Sequence, residues 1–552
     1  MDELTASRSP AWRAVARPLS LRSTTTERRV LPLLLAAACG AALALAFAPW
    51  SLRWAAAIGM VGVAVLFSTA PSPRIAGGIG LCSGGGLMAV GTTWIVHAIE
   101  GGASAAPWAV APILAAFVLI SALPYGLTCW LGARLVPLEE GSTRARIVRA
   151  ALVLPAAWTL AEWLRGRGPL ALPWMLTGTA HVPDGALASW MPVLGMFGTG
   201  WLAWTLAGGF ACAGLLAYRR RWLAAMVAAT LPLTVLGVSI PMANIAWTTP
   251  EPFALHVRLW QTNHPQGEKW NRAVAAATAR ELVDWVENAP RHSVLLTPEL
   301  VMIDPWQMLP ADWTGHLKAA LAARDNTLLL GIPGADVATH RLFNTLTVIG
   351  PHAREAEPQI YLKERLAIFG ETLPAKALLG WLYTRAFAWP LQDLSAPEPG
   401  ENTPLLYADG HVLAGAICFE TAFTRSSAQR DARAAFIANP SNDAWFNSTR
   451  YQTHALQITQ AAALETGKPI LRANNVGYTA VIRPDGSLQA VLPSGVAGEL
   501  AADVIGHIGT TPFARVGEPL IIGICCAGLL LAWRLGPRRH GPTRLKNTGV
   551  LA

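Results

Sequence analysis

Apolar residues fill long blocks through the first 245 positions and again near the end, with short alternating bursts between. Blocks at roughly 31–50, 54–70, 76–98, 107–133, 148–164, 186–217 and 222–241 are each about long enough to cross a bilayer core of about 30 Å. They predict seven membrane spans. A shorter block, Pro519 to Trp533, runs into a basic tail, as a final span does. Extending it back through Ala514 sets Arg515 and Glu518 at the membrane interface. The expected organisation is a leader (1–29), a multi-span α-helical membrane domain (30–245), a water-soluble domain (250–513), a last span (514–535) and a tail (536–552).

Between 250 and 513 the period changes. Strand-like runs fall at Phe253 to Thr262, Ser293 to Thr297, Thr327 to Ile332, Phe343 to Ile349, Val412 to Cys418, Ala434 to Ala438, Ile470 to Ala473 and Tyr478 to Arg483. Helical periodicity covers Asn271 to Glu287, Ala311 to Ala323 and Tyr451 to Thr466. Strands interleaved with helices predict a layered α/β domain, so polar residues at strand ends gather along one sheet edge. Ala375 to Pro390, AKALLGWLYTRAFAWP, is apolar and aromatic but too short to span. It reads either as a surface helix on its own domain or as an arm in the membrane interface, a depth that suits Trp and Tyr.

Composition agrees with a membrane protein: 14% of residues are charged, 23 are tryptophan, and mean hydropathy is +0.36. The net charge of +9 raises the question of nucleic acid. Its arginines cluster beside the apolar blocks, without a basic helix or aromatic–basic interleaving, which excludes that partner. The leader holds six arginines, and the block behind it is too long for a removable signal peptide. With the leader inside, the cytoplasmic side also collects Arg74, Arg134, Arg144, Arg146, Arg149, Arg219 to Arg221 and the tail, against Arg53, Arg165 and Arg167 opposite. The positive-inside rule then puts both termini in the cytoplasm and the soluble domain outside.

Six of the seven cysteines lie in apolar blocks, leaving Cys418 alone in the soluble region without a disulfide partner there. It ends an apolar run in GAICFE, where a strand gives way to a turn and a thiol gains access. A free cysteine is more often a small buried hydrophobe than a nucleophile. Two other polar residues end or follow strands, Glu299 in VLLTPEL and Lys363 in YLKERLAIFGETLP. A carboxylate, an ammonium and a thiol suffice for acyl transfer: proton acceptor, oxyanion stabiliser and nucleophile. Within the membrane blocks, Glu162 either pairs with Arg165, faces a wet cavity or reaches water at the interface. The glycines of Gly77 to Gly86 suit close helix packing better than phosphate binding. The twelve histidines show no metal-ligand spacing, so neither a metal nor another cofactor is expected, and His454 reads as a packing or surface residue.

On these motifs the chain resembles the nitrilase, or carbon-nitrogen hydrolase, superfamily, and more closely its membrane-embedded branch, the apolipoprotein N-acyltransferases. The soluble stretches that carry the resemblance are LWQTNHPQGEKW, TPE, YLKERLAIFGETLP, AICFE, SNDAWF and LRANNVGYTAVIRPDG. In the membrane half they are LAFAPW (Leu45 to Trp50), GTTWI (Gly91 to Ile95), AEWLRG (Ala161 to Gly166) and Pro173-Trp174, with TPFARVGEPL before the last span. The resemblance implies a nitrilase-like αββα sandwich beside the spans. It makes Glu299 the general base, Lys363 the electrostatic stabiliser and Cys418 the nucleophile. Glu371 becomes a supporting carboxylate, and Trp270, Phe419, Glu420 and Trp445 shape the site. The residue after the nucleophile is Phe419 where this family usually has tyrosine, so its backbone N–H remains available but no phenolic hydroxyl does.

The resemblance further implies an enzyme of the bacterial inner membrane with its catalytic domain in the periplasm. A phospholipid would donate a fatty acyl group to Cys418, and a diacylated apolipoprotein would accept it on its terminal amine; a monomer is expected. Two other readings stay open at this point: a membrane-tethered amidase with water as acceptor, and a non-catalytic assembly protein on a nitrilase scaffold.

Overall fold

In the computed structural model, residues 27–537 are described apart from 100–106, 140, 169, 337, 352–358, 369, 373–380, 382–396, 402–403 and 424–432. Most of the leader, nearly all of the tail and, except for an exposed Trp381, the 375–390 segment lie outside the described residues.

The seven apolar blocks fall on helices at Glu27–Ala44, Arg53–Thr69, Pro73–Gly91, Pro107–Leu135, Thr143–Arg165, Met191–Tyr218 and Trp222–Met242. Among the described residues, Trp108–Leu135, Thr143–Arg165, Ala188–Tyr218 and Trp222–Met242 are long and apolar enough to cross a membrane. Arg29–Ala44, Arg53–Thr69 and Pro519–Leu535 are apolar but shorter. At 1.5 Å per residue, a helix of that length rises only about 26 Å. Pro73–Gly91 is instead rich in glycine, and the glycines are packing positions. A Cβ on Gly80 would overlap the Tyr125 carbonyl, and one on Gly86 the Ala37 carbonyl, so the helix lies directly against both neighbours.

Several charged residues of the membrane helices are structural. Arg149, counted above as a loop charge, is fully buried. It donates to the carbonyls of Ala70 at 2.7 Å, Val136 at 2.8 Å and Ala133 at 3.3 Å, satisfying helix ends that would otherwise be orphaned. Glu162 is also fully buried and does not reach water. Its Oε1 accepts from the Thr177 hydroxyl at 2.6 Å, the Thr177 N–H at 2.9 Å and the Trp158 indole at 3.0 Å. Glu518, at the start of the last helix, is buried too, paired with Arg167 and bound by the Trp163 indole at 3.0 Å.

The soluble region forms two six-stranded sheets. The first contains β1 (Thr249–Gln261), β2 (Val294–Leu296), β3 (Thr327–Asp336), β4 (Arg341–Ile349), β5 (Gln359–Leu362) and β12 (Gly498–Ile508), in the order β12-β1-β2-β3-β4-β5. The second contains β6 (Leu406–Ala408), β7 (His411–Gly415), β8 (Phe436–Ser441), β9 (Ile470–Asn474), β10 (Thr479–Ile482) and β11 (Leu488–Leu492), in the order β11-β10-β9-β8-β7-β6. Each sheet has a parallel centre, β1-β2-β3 and β7-β8-β9, flanked by antiparallel strands. Parallel strands need crossovers, which the helices supply, and buried parallel strands read as continuous apolar runs.

The inner faces meet through Leu255, Val257, Leu296, Leu329 and Leu346 from one sheet and Leu413, Phe436, Leu471 and Val481 from the other. Helices Arg272–Asn288 and Ala311–Arg324 cover the outer face of the first sheet through Leu282, Val286, Leu317 and Leu321. Asn271 starts the former by accepting from the Ala273 N–H at 2.8 Å. Helix Thr449–Thr466 covers the second sheet and is stopped by Gly467 at φ +67°. Its other side is packed against the membrane half, sharing one core with Met191, Met196, Phe197 and Ile521. The four layers are thus an αββα sandwich whose last helical layer is embedded in the membrane helices' own core.

The strands expected from periodicity all occur within a few residues of their expected bounds. The run ending at Cys418 is cut short: β7 stops at Gly415, and Cys418 opens a 3₁₀ turn, Cys418–Ala422. Strands β5, β6, β11 and β12 were not legible as separate runs. They are short, or, as in β12, their exposed outer positions carry Ala, Asp and Ile without a clean alternation.

Candidate active site

The parallel strands of both sheets deliver their ends to one place between the layers. Glu299 follows β2 on a segment that crosses β3, where Val301 N–H donates to the Gly331 carbonyl at 2.8 Å. A Cβ on residue 331 would overlap the Pro298 carbonyl, so only glycine admits the crossing. Lys363 follows β5 directly, its N–H donating to the Asn344 carbonyl of β4 at 2.9 Å. Cys418 lies just beyond β7 at φ +59°, in the left-handed region, which costs on the order of 1 kcal/mol or more for a non-glycine residue. Asn439 of β8 supports the strained turn, donating to the carbonyls of Ala416 at 2.5 Å and Cys418 at 3.0 Å.

At the centre, the Lys363 ammonium is 2.7 Å from Glu299 Oε1 and 2.8 Å from Glu371 Oε2. Asn344 bridges the same two carboxylates, its amide donating to Glu299 Oε1 at 2.8 Å and Glu371 Oε1 at 2.7 Å. Glu371 also accepts from the Ala367 N–H at 2.7 Å, which folds the turn after Lys363 back on itself. Lys363 and Glu299 are 1% and 6% exposed, so this network works in a low dielectric. Burial opposes the charge on both. For Glu299, the charge and hydrogen bond of the Lys363 ammonium, the Asn344 amide and the Lys269 ammonium together outweigh burial and hold the carboxyl below its ordinary value; for Lys363, Glu299 and Glu371 do the same and hold the ammonium well above its own.

Cys418 is electrostatically coupled to this cluster. Burial, then the Glu299 carboxylate, push its thiol well above the ordinary cysteine range, and Lys363 pulls the other way. The resting thiol is therefore protonated, and a proton acceptor is needed to make it a nucleophile. The Phe419 ring packs with the Lys363 ammonium 5.7 Å from its centroid. Glu420, buried, collects four donors: Ile417 N–H at 2.6 Å, Tyr361 hydroxyl at 2.9 Å, and the N–H groups of Glu364 and Arg365 at 2.8 and 2.9 Å. It ties the backbone after Lys363 to the backbone before Cys418, and burial pushes its own carboxyl up to about 7.

A small pocket opens at Cys418, lined by Phe419, Tyr451, Ile458, Asp443 and Arg472, and by Trp174 of the membrane half. Trp174 stacks on Tyr451 at 5.1 Å with the rings within 7° of parallel, and Trp94 meets Tyr451 edge-on at 4.9 Å. The wall of the thiol pocket is thus shared between the two halves of the chain. The buried Arg472–Asp443 pair, at 3.0 Å, fixes its polar side, with Asn474 donating to Asp443 at 2.7 Å.

Glu299, Lys363, Glu371, Cys418, Phe419 and Glu420 therefore come together, whereas Trp270 is 53% exposed at the surface. Trp445 is half-buried on the turn that carries Asp443. His454 is buried, its ring against Phe47 and Trp174 at 5.1 and 4.8 Å. Sequence reasoning did not single out Asn344, Asn439 or Lys269. The one available signal was a lone polar residue inside an apolar strand run, as Asn344 is in LFNTLT. Among the described residues no group of His, Cys, Asp and Glu is arranged to hold a metal ion.

The fold and this site define a carbon-nitrogen hydrolase domain joined to a membrane domain. The family model described as carbon-nitrogen hydrolase matches residues 259–508, and that described as apolipoprotein N-acyltransferase N-terminal domain matches residues 39–209. Curated relatives named apolipoprotein N-acyltransferase match nearly end to end. That of Chromobacterium violaceum is 31% identical, covering 94% of this chain and 97% of its own. That of Ralstonia nicotianae is 34% identical, covering 92% and 93%. Among solved structures, the nitrilase-superfamily member Nit3 of Saccharomyces cerevisiae aligns with 46% of this chain and 90% of its own, at 16% identity and a TM-score of 0.34. The chain belongs to the apolipoprotein N-acyltransferase family and is a bacterial membrane protein.

Proposed function

We propose that this protein moves a fatty acyl group from a phospholipid to the α-amino group of an apolipoprotein's diacylglyceryl-cysteine, through a thioester on Cys418. The observation that carries this reading is the buried Glu299–Lys363–Glu371 cluster beside the one cysteine of the soluble region, whose pocket is walled by a tryptophan of the membrane half. An acyl chain is insoluble in water, and a thiol that opens towards membrane helices meets it without a desolvation barrier.

In the first half-reaction Glu299 takes the thiol proton and the sulfur attacks the ester carbonyl. The C–S bond forms, the C–O bond breaks, and lysophospholipid leaves with the proton Glu299 returns. In the second, the acceptor amine attacks the thioester and gives a proton to Glu299. The C–N bond forms, and the thiolate leaves and is reprotonated. In both, the oxyanion is met by the Lys363 ammonium and the Phe419 backbone N–H. The reading includes seven spans before the catalytic domain and one after it, both termini in the cytoplasm, a periplasmic catalytic domain on the inner membrane, and a monomer.

The test is intact-protein mass after incubation with phospholipid. The expected result is one acyl adduct on Cys418 and about one equivalent of lysophospholipid, since excluded water discharges the thioester slowly, with turnover restored by a diacylated peptide bearing a free amino terminus. Steady release of fatty acid without acceptor would point to a hydrolase, and the absence of any adduct to a non-catalytic scaffold.

A further inference from the structure

Glu299 and Glu371 both converge on the single ammonium of Lys363. Two carboxylates facing one cation in a buried site leave an excess negative charge, and such a pair ordinarily keeps one proton between them. A proton held there would disable Glu299 as a base. The neighbouring Arg472–Asp443 pair is self-neutralising and offers no spare cation.

A second cation is present on the far side of Glu299. Lys269 is 7% exposed, and its ammonium donates to the Glu299 backbone carbonyl at 3.0 Å. It lines a second small pocket, together with His264, Thr262, Thr278, Asn475 and Glu299 itself. The charged and titratable groups around it are Glu299 on the segment after β2, Lys363 after β5, Cys418 after β7, and His264 in the loop after β1. Burying an ammonium without a charged partner is costly, so its place beside the carbonyl of Glu299 calls for an electrostatic reason.

We propose that Lys269 is a positioning residue for the base: it supplies the second positive charge that lets Glu299 remain ionised beside Glu371, and it holds the Glu299 backbone in register. The proposal rests on Glu299 acting as the base. Burial lowers the Lys269 ammonium to about 8, against the pull of Glu299, so it is cationic at neutral pH. Lys269 and Lys363 then balance Glu299 and Glu371.

The experiment is the pH dependence of acylation with full-length protein, phospholipid and no acceptor peptide, read as the rate of adduct formation. Without acceptor, no substrate amine titrates. Lys269→Met should move the acid limb of the rate upward by about one pH unit while the phospholipid KM stays unchanged. Lys269→Gln, which still donates to the carbonyl, should shift it equally, and Lys269→Arg should leave it near the wild-type position. An unmoved acid limb in both neutral variants overturns the proposal. So does a wild-type profile in Lys269→Gln alone, which would assign the whole effect to the hydrogen bond. Should Lys269→Met fail to fold, the contrast between the Gln and Arg variants carries the same decision. An adduct persisting in Cys418→Ala overturns the underlying reading, and this one with it.

Discussion

Glu420→Gln tests the linkage between the two strand ends that bear Lys363 and Cys418. The wild-type carboxylate accepts four hydrogen bonds, from Ile417 N–H and Tyr361 on Oε2 and from Glu364 and Arg365 N–H on Oε1. Glutamine has one carbonyl oxygen and one NH₂. With its oxygen towards residues 364 and 365, the NH₂ opposes the Ile417 N–H, donor to donor; flipped, it opposes two backbone donors instead. The Tyr361 hydroxyl can rotate to accept, but a backbone N–H cannot. At least one buried charge-assisted bond is lost and one donor is left unpaired, a cost of about 3 kcal/mol.

If that cost falls on the alignment of Cys418 against Lys363, acylation slows about a hundredfold at 1.4 kcal/mol per tenfold. The assay is the rate of adduct formation by intact mass, with tryptophan fluorescence on heating to confirm a folded protein. Burial sets the Glu420 carboxyl at about 7, above its unfolded value. Folded protein therefore gains stability as pH falls from about 7 towards the ordinary glutamate range, while protonation disturbs the donor set and lowers activity. Stability and activity should move in opposite directions across that window in wild type, and Glu420→Gln should lose this Glu420-linked component of the stability change. A folded Glu420→Gln protein that acylates within twofold of wild type would refute the reasoning.

Other outcomes follow from the same geometry. Asn344→Leu removes the amide shared by Glu299 and Glu371, and loss of a charge-assisted bond worth about 1.5–3 kcal/mol should raise the acid limb of acylation by at least about one pH unit, measured as above. Glu162→Ala strips the acceptor from Thr177 and Trp158 and loosens the segment that carries Trp174 into the thiol pocket. Thermal stability should fall by several kcal/mol and the phospholipid KM should rise, whereas Glu162→Gln, keeping one oxygen for the three donors, should retain most of both. A reporter active only outside the cytoplasm should be active when fused after Asn244 and silent when fused after Ala552, and the reverse pattern would overturn the orientation.

Local order was legible because it depends on neighbours in the chain. The apolar blocks announced the membrane helices, and the apolar bursts between turns announced the parallel centres of both sheets, since buried strands and spans need uninterrupted apolar surface. The positions of Glu299, Lys363 and Cys418 at or just beyond strand ends were legible for the same reason. Cys418 itself lies three residues past its strand, in a turn held by Asn439 from β8 and tied, through Glu420 of the same turn, to the backbone after Lys363.

The sequence by itself determined which side chains stand at strand ends and which segments are greasy, because periodicity and capping are written within a few residues. Only the tertiary structure decided which ends meet. Sheet order brings the segments after β2 and β5 to the same ammonium across 64 residues, with Asn344 of β4 between them. It leaves Trp270 at the surface while its neighbour Lys269 reaches the Glu299 carbonyl, and it draws Trp174 from the membrane half into the wall around the thiol. Distance across a layered fold is set by how sheets pair and pack, which spacing along the chain does not encode.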